Sequence, residues 1–399
     1  MNSGPTVAIL GGSLTGNKGA ASMVYAVADG VRKRIENVHI VVFSPYPAHD
    51  RSRQSDFDVV NFRPSDMLVR VLPPALFSLI TGRRWRPRRG PARALADAQV
   101  VADVSGIAFM DGRGIPTLIY NILLVFLPWA FGVPVVKIAQ ALGPFRNPLN
   151  RLAAKATLRL VSWIGLRGAE TAQNFEILGV GNAEPAADIA FLLEVGPKDE
   201  ARAASQLPKD GHVTLIVPSA VVEQSCRAHG IDYVARMAQL VDGLTAAGHV
   251  AVLIAHSARE DEGGGHTNDL PTCRRIAETS QATLIDREID ARQLRALIGR
   301  SRMLITSRFH ALISGLATTT PTFVVGWSHK YREVLFEFGL EEWVVDFRDL
   351  TDEALLGAIL RLDGESESIR AQIEARLPSV RLKADRNIDR LVEVLKSNA

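Results

Sequence analysis

Short runs of aliphatic and β-branched residues alternate with helical stretches along almost the whole chain, and this alternation restricts its fold more than any other feature. Most of these runs are short enough for single strands and apolar at nearly every position, as in strands that are covered on both faces. Alternating strands and helices are typical of a parallel sheet with helices on both sides. The sequence therefore predicts an α/β fold with parallel sheets.

The alternation runs in two series, one in each half of the chain. The first series predicts the strands Val7–Leu10, His39–Phe43, Val100–Val104, Val135–Ala139, Trp163–Leu166 and a stretch near Ala187–Phe191. The second predicts the strands His212–Val217, Val250–Ala255, Ala282–Asp286, Met303–Thr306, Thr322–Val325 and Trp343–Asp346. The predicted helices include Gly19–Ile35, Pro148–Val161, Asp232–Ala247, Thr272–Ser280, Ala291–Arg300 and Phe309–Ala317.

The two series predict two domains, because 399 residues are too many for one hydrophobic core of ordinary size. The polar segment Val195–Gly211 lies between the series and is interpreted as the interdomain linker. We expect two doubly wound Rossmann-like domains facing a cleft, the glycosyltransferase-B type of architecture. Their predicted boundaries are 1–195 and 206–365, with a C-terminal helix at 366–399 that packs back on the first domain.

Composition argues against several classes of protein. The formal net charge of +3 gives no reason to expect a nucleic-acid partner. Cys226 and Cys273 are the only cysteines and form no CxxC or Cys/His cluster, so neither a thiolate metal site nor a disulfide framework is expected. The sequence implies no cofactor. The N-terminus resembles a first strand and not a signal peptide, and we expect a cytoplasmic protein.

Two segments raise the question of a membrane. Ile115–Val136 carries no charge, but Pro116, Pro128 and Pro134 interrupt it, which favours a buried helix and strand over a membrane span. Residues 67–93 are apolar first and then rich in arginine. They are interpreted either as a packed helix with a solvated loop or as peripheral contact with the inner membrane face. In the second case the lipid contacts would be Leu76, Phe77, Leu79 and Trp85.

A glycine-rich loop from Gly11 to Gly19 follows the first strand and precedes a helix. Backbone N–H groups in such a turn suit an anionic ligand. A P-loop is excluded because Asn17 separates Gly16 from Lys18 and no Ser or Thr follows the lysine. The alternative is a tight turn that serves packing alone.

Two further groups of residues lie where strands end and helices begin. Ser307, Arg308 and His310 follow one strand, and Arg167 follows another. Open α/β sheets bind ligands at such positions. Arginine offers a planar fork to carboxylate or phosphate, and histidine exchanges a proton near neutral pH. Capping and packing, or pairing of Arg167 with a nearby carboxylate, are the structural alternatives.

The order of these motifs resembles the polysaccharide pyruvyl transferase family. The matching positions are Asn17-Lys18-Gly19, Gln140, Gly143-Pro144-Phe145, Arg167, Leu178-Gly179, Asp188–Phe191, Arg308, His310, Ala311, Pro321 and Lys330. The resemblance spans Val7 to about Asp346. It implies transfer of a pyruvyl group from phosphoenolpyruvate to a sugar of a glycan or a lipid-linked acceptor.

The resemblance also implies the roles of individual residues. The residues expected to serve catalysis are His310 as the acid/base group, with Arg308 and Arg167. Those expected to bind substrate are Gly12, Asn17, Lys18, Gly19, Ser307 and Lys330. The N-terminal domain is expected to take the acceptor and the C-terminal domain phosphoenolpyruvate.

Two positions depart from the family pattern. Ala20 stands where an acidic residue is usual, and Ser105-Gly106-Ile107 replaces a glycine triplet. Two other functions therefore stay open. One is a nucleotide-sugar glycosyltransferase or epimerase of the same fold, and the other is a catalytically silent binding module.

Overall fold

The computed structural model of the protein describes residues 4–53, 56–209, 211–259, 267–326, 329–349 and 352–398. The strands are β1 (Thr6–Leu10), β2 (His39–Ser44), β3 (Asp58–Asn61), β4 (Val100–Asp103), β5 (Ile107–Ala108), β6 (Val135–Leu142), β7 (Trp163–Leu166), β8 (Ala183–Pro185), β9 (His212–Val217), β10 (His249–Ile254), β11 (Thr283–Ile285), β12 (Met303–Thr306), β13 (Thr322–Val325) and β14 (Val344–Val345).

The α-helices connect these strands. They are α1 (Lys18–Arg32), α2 (Pro47–Arg53), α3 (Pro64–Asp66), α4 (Leu72–Ile80), α5 (Gly90–Ala96), α6 (Gly114–Ala130), α7 (Pro148–Leu158), α8 (Ala169–Glu176), α9 (Pro197–Gln206), α10 (Ala220–Ala228), α11 (Tyr233–Ala246), α12 (Leu270–Glu278), α13 (Ala291–Arg300), α14 (Phe309–Ala317), α15 (His329–Phe338), α16 (Asp352–Gly364) and α17 (Ser366–Ser397). A π-helical turn, Met67–Val71, joins α3 to α4.

The chain forms two compact units, each with its own parallel sheet. The first unit contains 1–15, 23–193 and 381–399, and its strand order is β3-β2-β1-β4-β6-β7-β8, with β5 paired to β6. The second contains 16–22 and 194–380, with the order β11-β10-β9-β12-β13-β14. The predicted fold class, two doubly wound α/β domains, is confirmed.

Central strands are buried along their whole length because helices cover both faces of each sheet. Every residue of β4, β7, β12 and β13 is buried. This explains why the strands appear in the sequence as continuous apolar runs without alternation.

The predicted strand near Ala187–Phe191 was wrong, and so was the predicted linker Val195–Gly211, which is described in the next paragraph. The expected strand at Ala187–Phe191 is a 3₁₀ turn, Ile189–Leu192, and the edge strand β8 lies a few residues earlier. The turn forms because the Asp188 carboxylate accepts a hydrogen bond from Ala190 N at 2.9 Å.

The expected linker contains α9. Pro197 stands in the first turn of this helix with Asp199 and Glu200, where prolines and acidic residues favour a helix start. Ala203 is fully buried in the hydrophobic core of the second unit, and α9 packs on α13. The segment is therefore part of that unit.

The uncharged stretch Ile115–Val136 forms most of α6 and the start of β6, as predicted. Among the described residues, no helix combines the length and the apolar character that a bilayer crossing requires.

Helix α17 is continuous through Pro378 and passes from the second unit to the first just after that residue. In the first unit, the buried Asn387 accepts a hydrogen bond from Ala139 N at 2.7 Å and donates one to Ala187 O at 3.1 Å. Arg390 pairs with Glu184 at 2.6 Å. The end of the chain is thus tied to the first sheet.

Candidate active site

The second unit has its topological switch point between β9 and β12, where the strand order changes direction. Ligands of doubly wound sheets bind outside the carboxyl ends of the strands at this point. Strand β12 ends at Thr306, and Ser307 and Arg308 lead into α14. Arg308 N donates to the Thr306 hydroxyl at 2.9 Å, which fixes the backbone before the helix begins.

Arg308 is held by a buried carboxylate. Its Nη2 forms an ion pair with Asp269 and donates to Thr267 O at 3.0 Å. Asp269 is fully buried and also accepts from Ala220 N at 2.9 Å and Ser257 N at 2.8 Å. Burial raises the pKa of Asp269, and Arg308 opposes this effect. Among the described residues, the buried Nε of Arg308 has no hydrogen-bond partner, so this guanidinium retains capacity for a ligand.

Part of the glycine-rich loop belongs to the same unit. Asn17 caps α1, since its Oδ1 accepts from Gly19 N at 3.0 Å. Asn17 also forms an antiparallel bridge with Ser257, beyond the end of β10. Ala258 N donates to Gly16 O at 3.1 Å. These contacts fix the start of α1 against the carboxyl edge of the second sheet.

Lys18 is buried in this unit, with 1% of its surface exposed. Its ammonium forms an ion pair with Glu288, whose carboxylate also accepts from Gly16 N at 2.8 Å. A buried lysine needs such a counter-charge because desolvation of an unpaired ammonium is costly.

His310 in the first turn of α14 lies against the start of α1. A Cβ atom at Gly19 would lie only 2.3 Å from His310 Nδ1. Glycine is therefore required at position 19 for the imidazole to occupy this position. The loop and the Arg-x-His motif, about 290 residues apart, form one neighbourhood.

His256, which follows β10, lies close to Arg308, His310 and Lys18. Its imidazole is buried, and burial lowers its pKa well below the ordinary value. Positive charge on Arg308, His310 and Lys18 lowers it further. His256 is therefore neutral at physiological pH.

Tyrosines hold Ser307, and Lys330 lies over aromatic rings. The Ser307 hydroxyl is 3.0 Å from Tyr233 Oη, and Tyr331 Oη donates to Ser307 O at 3.0 Å. Burial raises the pKa of Tyr331 to about 12, so its hydroxyl stays protonated. The Lys330 ammonium lies 5.2 Å from the ring centroid of Phe309 and 5.3 Å from that of Tyr331.

Two of the sequence-predicted residues, Gly12 and Arg167, lie in the first unit. Arg167 pairs with the buried Asp188 at 2.6 Å and donates to Gly106 O at 3.0 Å. The loop around Gly12 is organised by Asp50, a buried carboxylate that accepts from Leu14 N, Thr15 N and the Thr15 hydroxyl. The Asp50 side chain thus occupies the backbone N–H donors of Leu14 and Thr15 in this part of the loop.

The structure brings six predicted site residues together at the carboxyl edge of the second sheet, with Lys330 beside Phe309. The six are Asn17, Lys18, Gly19, Ser307, Arg308 and His310. Within the described part of the chain, no group of three His, Cys, Asp or Glu side chains could hold a metal ion.

The family model for polysaccharide pyruvyl transferases matches residues 17–329 of this chain. The chain belongs to the polysaccharide pyruvyl transferase family. The match begins at Asn17, the cap of α1, and includes Arg167, Arg308 and His310. The resemblance inferred from the motifs is confirmed, and Lys330 lies one residue beyond the matched region.

The individual proteins to which this chain is similar have low sequence identity to it. The amylovoran biosynthesis protein AmsJ of Erwinia amylovora is 19% identical over 98% of this chain and 99% of its own length. A UDP-GlcNAc 2-epimerase from Neisseria meningitidis, solved with UDP-GlcNAc, has a TM-score of 0.58 at 11% identity and covers 98% of this chain and 100% of its own. Another UDP-N-acetylglucosamine 2-epimerase has a TM-score of 0.60 at 12% identity, covering 97% and 95%. At such identities the two structures share only the fold with this pyruvyl transferase family member.

Three residues of this neighbourhood were not recognised from the sequence: Asp269, Glu288 and His256. Each lies between a strand and a helix, within a few residues of the strand end or the helix start. His256 had the clearest signal, since it follows β10 in the run Ile254-Ala255-His256. Asp269 and Glu288 had no recognisable signal in the sequence, because a single acidic residue shortly before a helix is usually explained as a helix cap.

Proposed function

We propose that this protein transfers a pyruvyl group from phosphoenolpyruvate to a sugar of a cell-surface glycan, forming a pyruvate ketal and releasing phosphate. The observation that carries the proposal is the grouping of Lys18, Arg308 and His310 at the switch point of the second unit, fixed by the contacts of Lys18 with Glu288 and His256 O, of Arg308 with Asp269, and of His310 with Gly19. Membership in the polysaccharide pyruvyl transferase family supports it.

The second unit is proposed to bind phosphoenolpyruvate. This donor carries a phosphate and a carboxylate on a small frame and therefore needs several fixed cations and N–H donors. Arg308 supplies a guanidinium that Asp269 holds in place. Ser307, Lys330 and the Asn17–Gly19 turn complete the proposed binding set, and the N-termini of α1 and α14 favour an anion.

His310 is proposed as the acid/base group. One sugar hydroxyl adds to the enol carbon C2 and the methylene carbon C3 gains a proton. The C2–O bond to phosphate then breaks, and a second hydroxyl of the same sugar adds to C2. Of the two hydroxyl protons, one ends on the new methyl group and one on the released phosphate. A histidine that both gives and takes a proton near neutral pH suits this sequence.

The first unit is proposed to take the sugar acceptor. A cavity of about 270 Å³ in this unit is lined in part by Asp111, Asn121, Asn147 and Asn150, and such side chains suit sugar hydroxyls. Arg167 is proposed as a positioning residue, because its guanidinium pairs with Asp188 and donates to Gly106 O. Gly12 is proposed to keep the loop after β1 compact.

The decisive experiment measures phosphate release from phosphoenolpyruvate with a panel of glycan acceptors, and ketal formation by mass spectrometry of the acceptor. A mass gain that matches one pyruvate ketal, with equal phosphate released, is the expected result. Turnover of a nucleotide diphosphate sugar without phosphoenolpyruvate would instead support a glycosyltransferase or epimerase. Binding of phosphoenolpyruvate without turnover on any acceptor would support a silent binding module, consistent with Ala20 and Ser105.

A further inference from the structure

Two helices of the first unit, α4 and α6, pack on each other and leave apolar side chains exposed. On α4 these are Leu76, Phe77 and Ile80, whose spacing puts them on one side of the helix. On α6 they are Ile115 and Ile119, one turn apart. These five residues are called the apolar face below. Ile80 is 82% exposed and Ile115 61%, values unusual for isoleucine.

The opposite side of α4 holds the helix in place. Ala75 and Ser78 are buried, and Leu79 packs against the core of the first unit. Leu79 is therefore not among the outward residues, in contrast to the expectation from the sequence. Trp85 packs edge-on against Phe77, with 5.0 Å between the ring centroids. The fold thus fixes the apolar face without burying it.

Positive charge follows α4 directly. Arg84, Arg88 and Arg89 are exposed, and residues 67–93 contain no acidic side chain. In the described ranges, no carboxylate forms an ion pair with any of these three arginines. The segment is anchored by Arg83, which lies 5.0 Å from the ring centroid of Trp129 on α6. The basic residues therefore follow directly after α4, the helix that carries three of the five residues of the apolar face.

We propose that the apolar face docks on the surface of a bilayer that contains anionic phospholipids. Aliphatic and aromatic side chains would enter the interface, and Arg84, Arg88 and Arg89 would meet the headgroup phosphates. A second copy of this chain fits the face less well, because it would bring the same arginines together with no acidic residue of the segment to pair with them. This inference goes beyond the proposed reaction and does not depend on it.

Co-sedimentation of the full chain with vesicles tests the proposal. One set holds equal amounts of phosphatidylglycerol and phosphatidylcholine, and the other holds phosphatidylcholine alone. We expect binding to the anionic set at about 50 mM salt and its loss at about 500 mM, where exposed charges are screened. The triple variant Arg84→Glu/Arg88→Glu/Arg89→Glu should lower the partition coefficient about 100-fold. Ile80→Ser should lower it several-fold.

Matched controls lie in the second unit. Lys198→Glu/Arg202→Glu/Lys209→Glu changes the net charge equally at exposed positions, and Phe336→Ser removes another exposed apolar side chain. Both controls should bind vesicles as the wild type does. Negligible binding to anionic vesicles, equal binding to both sets, or equal losses in the controls would overturn the proposal. Self-association that Ile80→Ser abolishes, without vesicle binding, would assign the face to a second copy instead.

Discussion

At residue 19 a single hydrogen atom in place of a side chain decides how the candidate site is assembled. Asn17 caps α1 and Gly19 leaves the space that His310 occupies. The Asn-x-Gly motif therefore has two separate physical reasons. One is local, at the helix start, and the other concerns a helix almost 300 residues later in the chain.

Gly19→Ala should displace the His310 imidazole, because the added Cβ would lie 2.3 Å from Nδ1. We expect kcat of the proposed pyruvyl transfer to fall about 100-fold, as for a misplaced catalytic group. The control is Gly357→Ala on α16, where a Cβ meets no atom within 4 Å. That variant should keep its activity and gain up to about 1 kcal/mol in the free energy of unfolding. An active Gly19→Ala protein would contradict the assembly described here.

His310→Ala should remove the proposed acid/base group. Turnover should fall by roughly 100- to 10,000-fold, the usual contribution of such a group. Binding of phosphoenolpyruvate, measured by calorimetry, should change little. The exposed His229→Ala in the same unit serves as the control. Near-normal phosphate release by His310→Ala would exclude His310 from the chemistry.

Arg308→Lys should raise KM for the proposed donor, phosphoenolpyruvate, about 10- to 100-fold, although the charge is kept. An ammonium cannot contact Asp269 and Thr267 O and also offer a planar fork to the substrate. Arg274→Lys changes an exposed arginine that pairs with Asp286, and it should leave KM unchanged. If both variants keep the wild-type KM, Arg308 has a structural role only.

The sequence allowed the place of Arg308 and His310, at the end of a strand and the start of a helix, to be predicted because that strand has a clear apolar pattern. Their roles stay predictions. Their partners Asp269 and Glu288 could not be predicted, since a carboxylate that pairs with a distant cation has no local signature. Arg167 shows the same limit. Its position after β7 was predicted, whereas its pairing with Asp188 was only one of two alternatives.

At the scale of elements, burial decided which predictions succeeded. Central strands such as β9 and β12 were predicted with their observed bounds, because short runs of mainly aliphatic and β-branched residues are typical of buried strands. The edge strand β3 was missed because it is short and partly exposed. The segment with α9 was taken for a linker because its polar side faces out, and only Ala203 is buried in this helix.

Helix α17 provides a test at this scale. Asn387 bonds to Ala139 N and Ala187 O in the first unit. Asn387→Ala would leave two buried backbone groups without partners, which costs about 1–3 kcal/mol for each group. Urea denaturation should show this loss of stability, with Lys396→Ala, exposed on the same helix, as the control. An unchanged unfolding midpoint would mean that the terminal helix contributes little to the first unit.

At the scale of the whole molecule, the sequence predicted two α/β domains but not how the chain is shared between them. Residues 16–22 group with the second unit although the residues on either side group with the first. Two carboxylates mark this division, because Asp50 holds Thr15 and Glu288 holds Gly16. The order of helices and strands in a sequence does not reveal contacts between residues far apart in the chain, such as Gly16 with Glu288.

The stability of the second unit should also depend on pH. In the second unit, burial lowers the pKa of His256 and of His249 below the ordinary value of about 6.5. Below this pH the unfolded chain binds protons that the folded unit does not, so the free energy of unfolding falls as pH falls. Each histidine contributes at most about 1.4 kcal/mol per pH unit. The raised pKa of Asp269 acts in the opposite direction, and the test must therefore isolate one histidine.

His256→Gln isolates this effect. Hydrogen exchange of peptides from each unit, at several urea concentrations between about pH 7.5 and about pH 5.5, gives the stability of each unit separately. On acidification, the second unit of the wild type should lose more stability than that of His256→Gln. The difference should approach 1.4 kcal/mol per pH unit at the acid end, about one proton. The exposed His229→Gln should follow the wild type. Parallel pH profiles for wild type and His256→Gln would mean that folding does not lower the pKa of His256, contrary to its burial beside Arg308, His310 and Lys18.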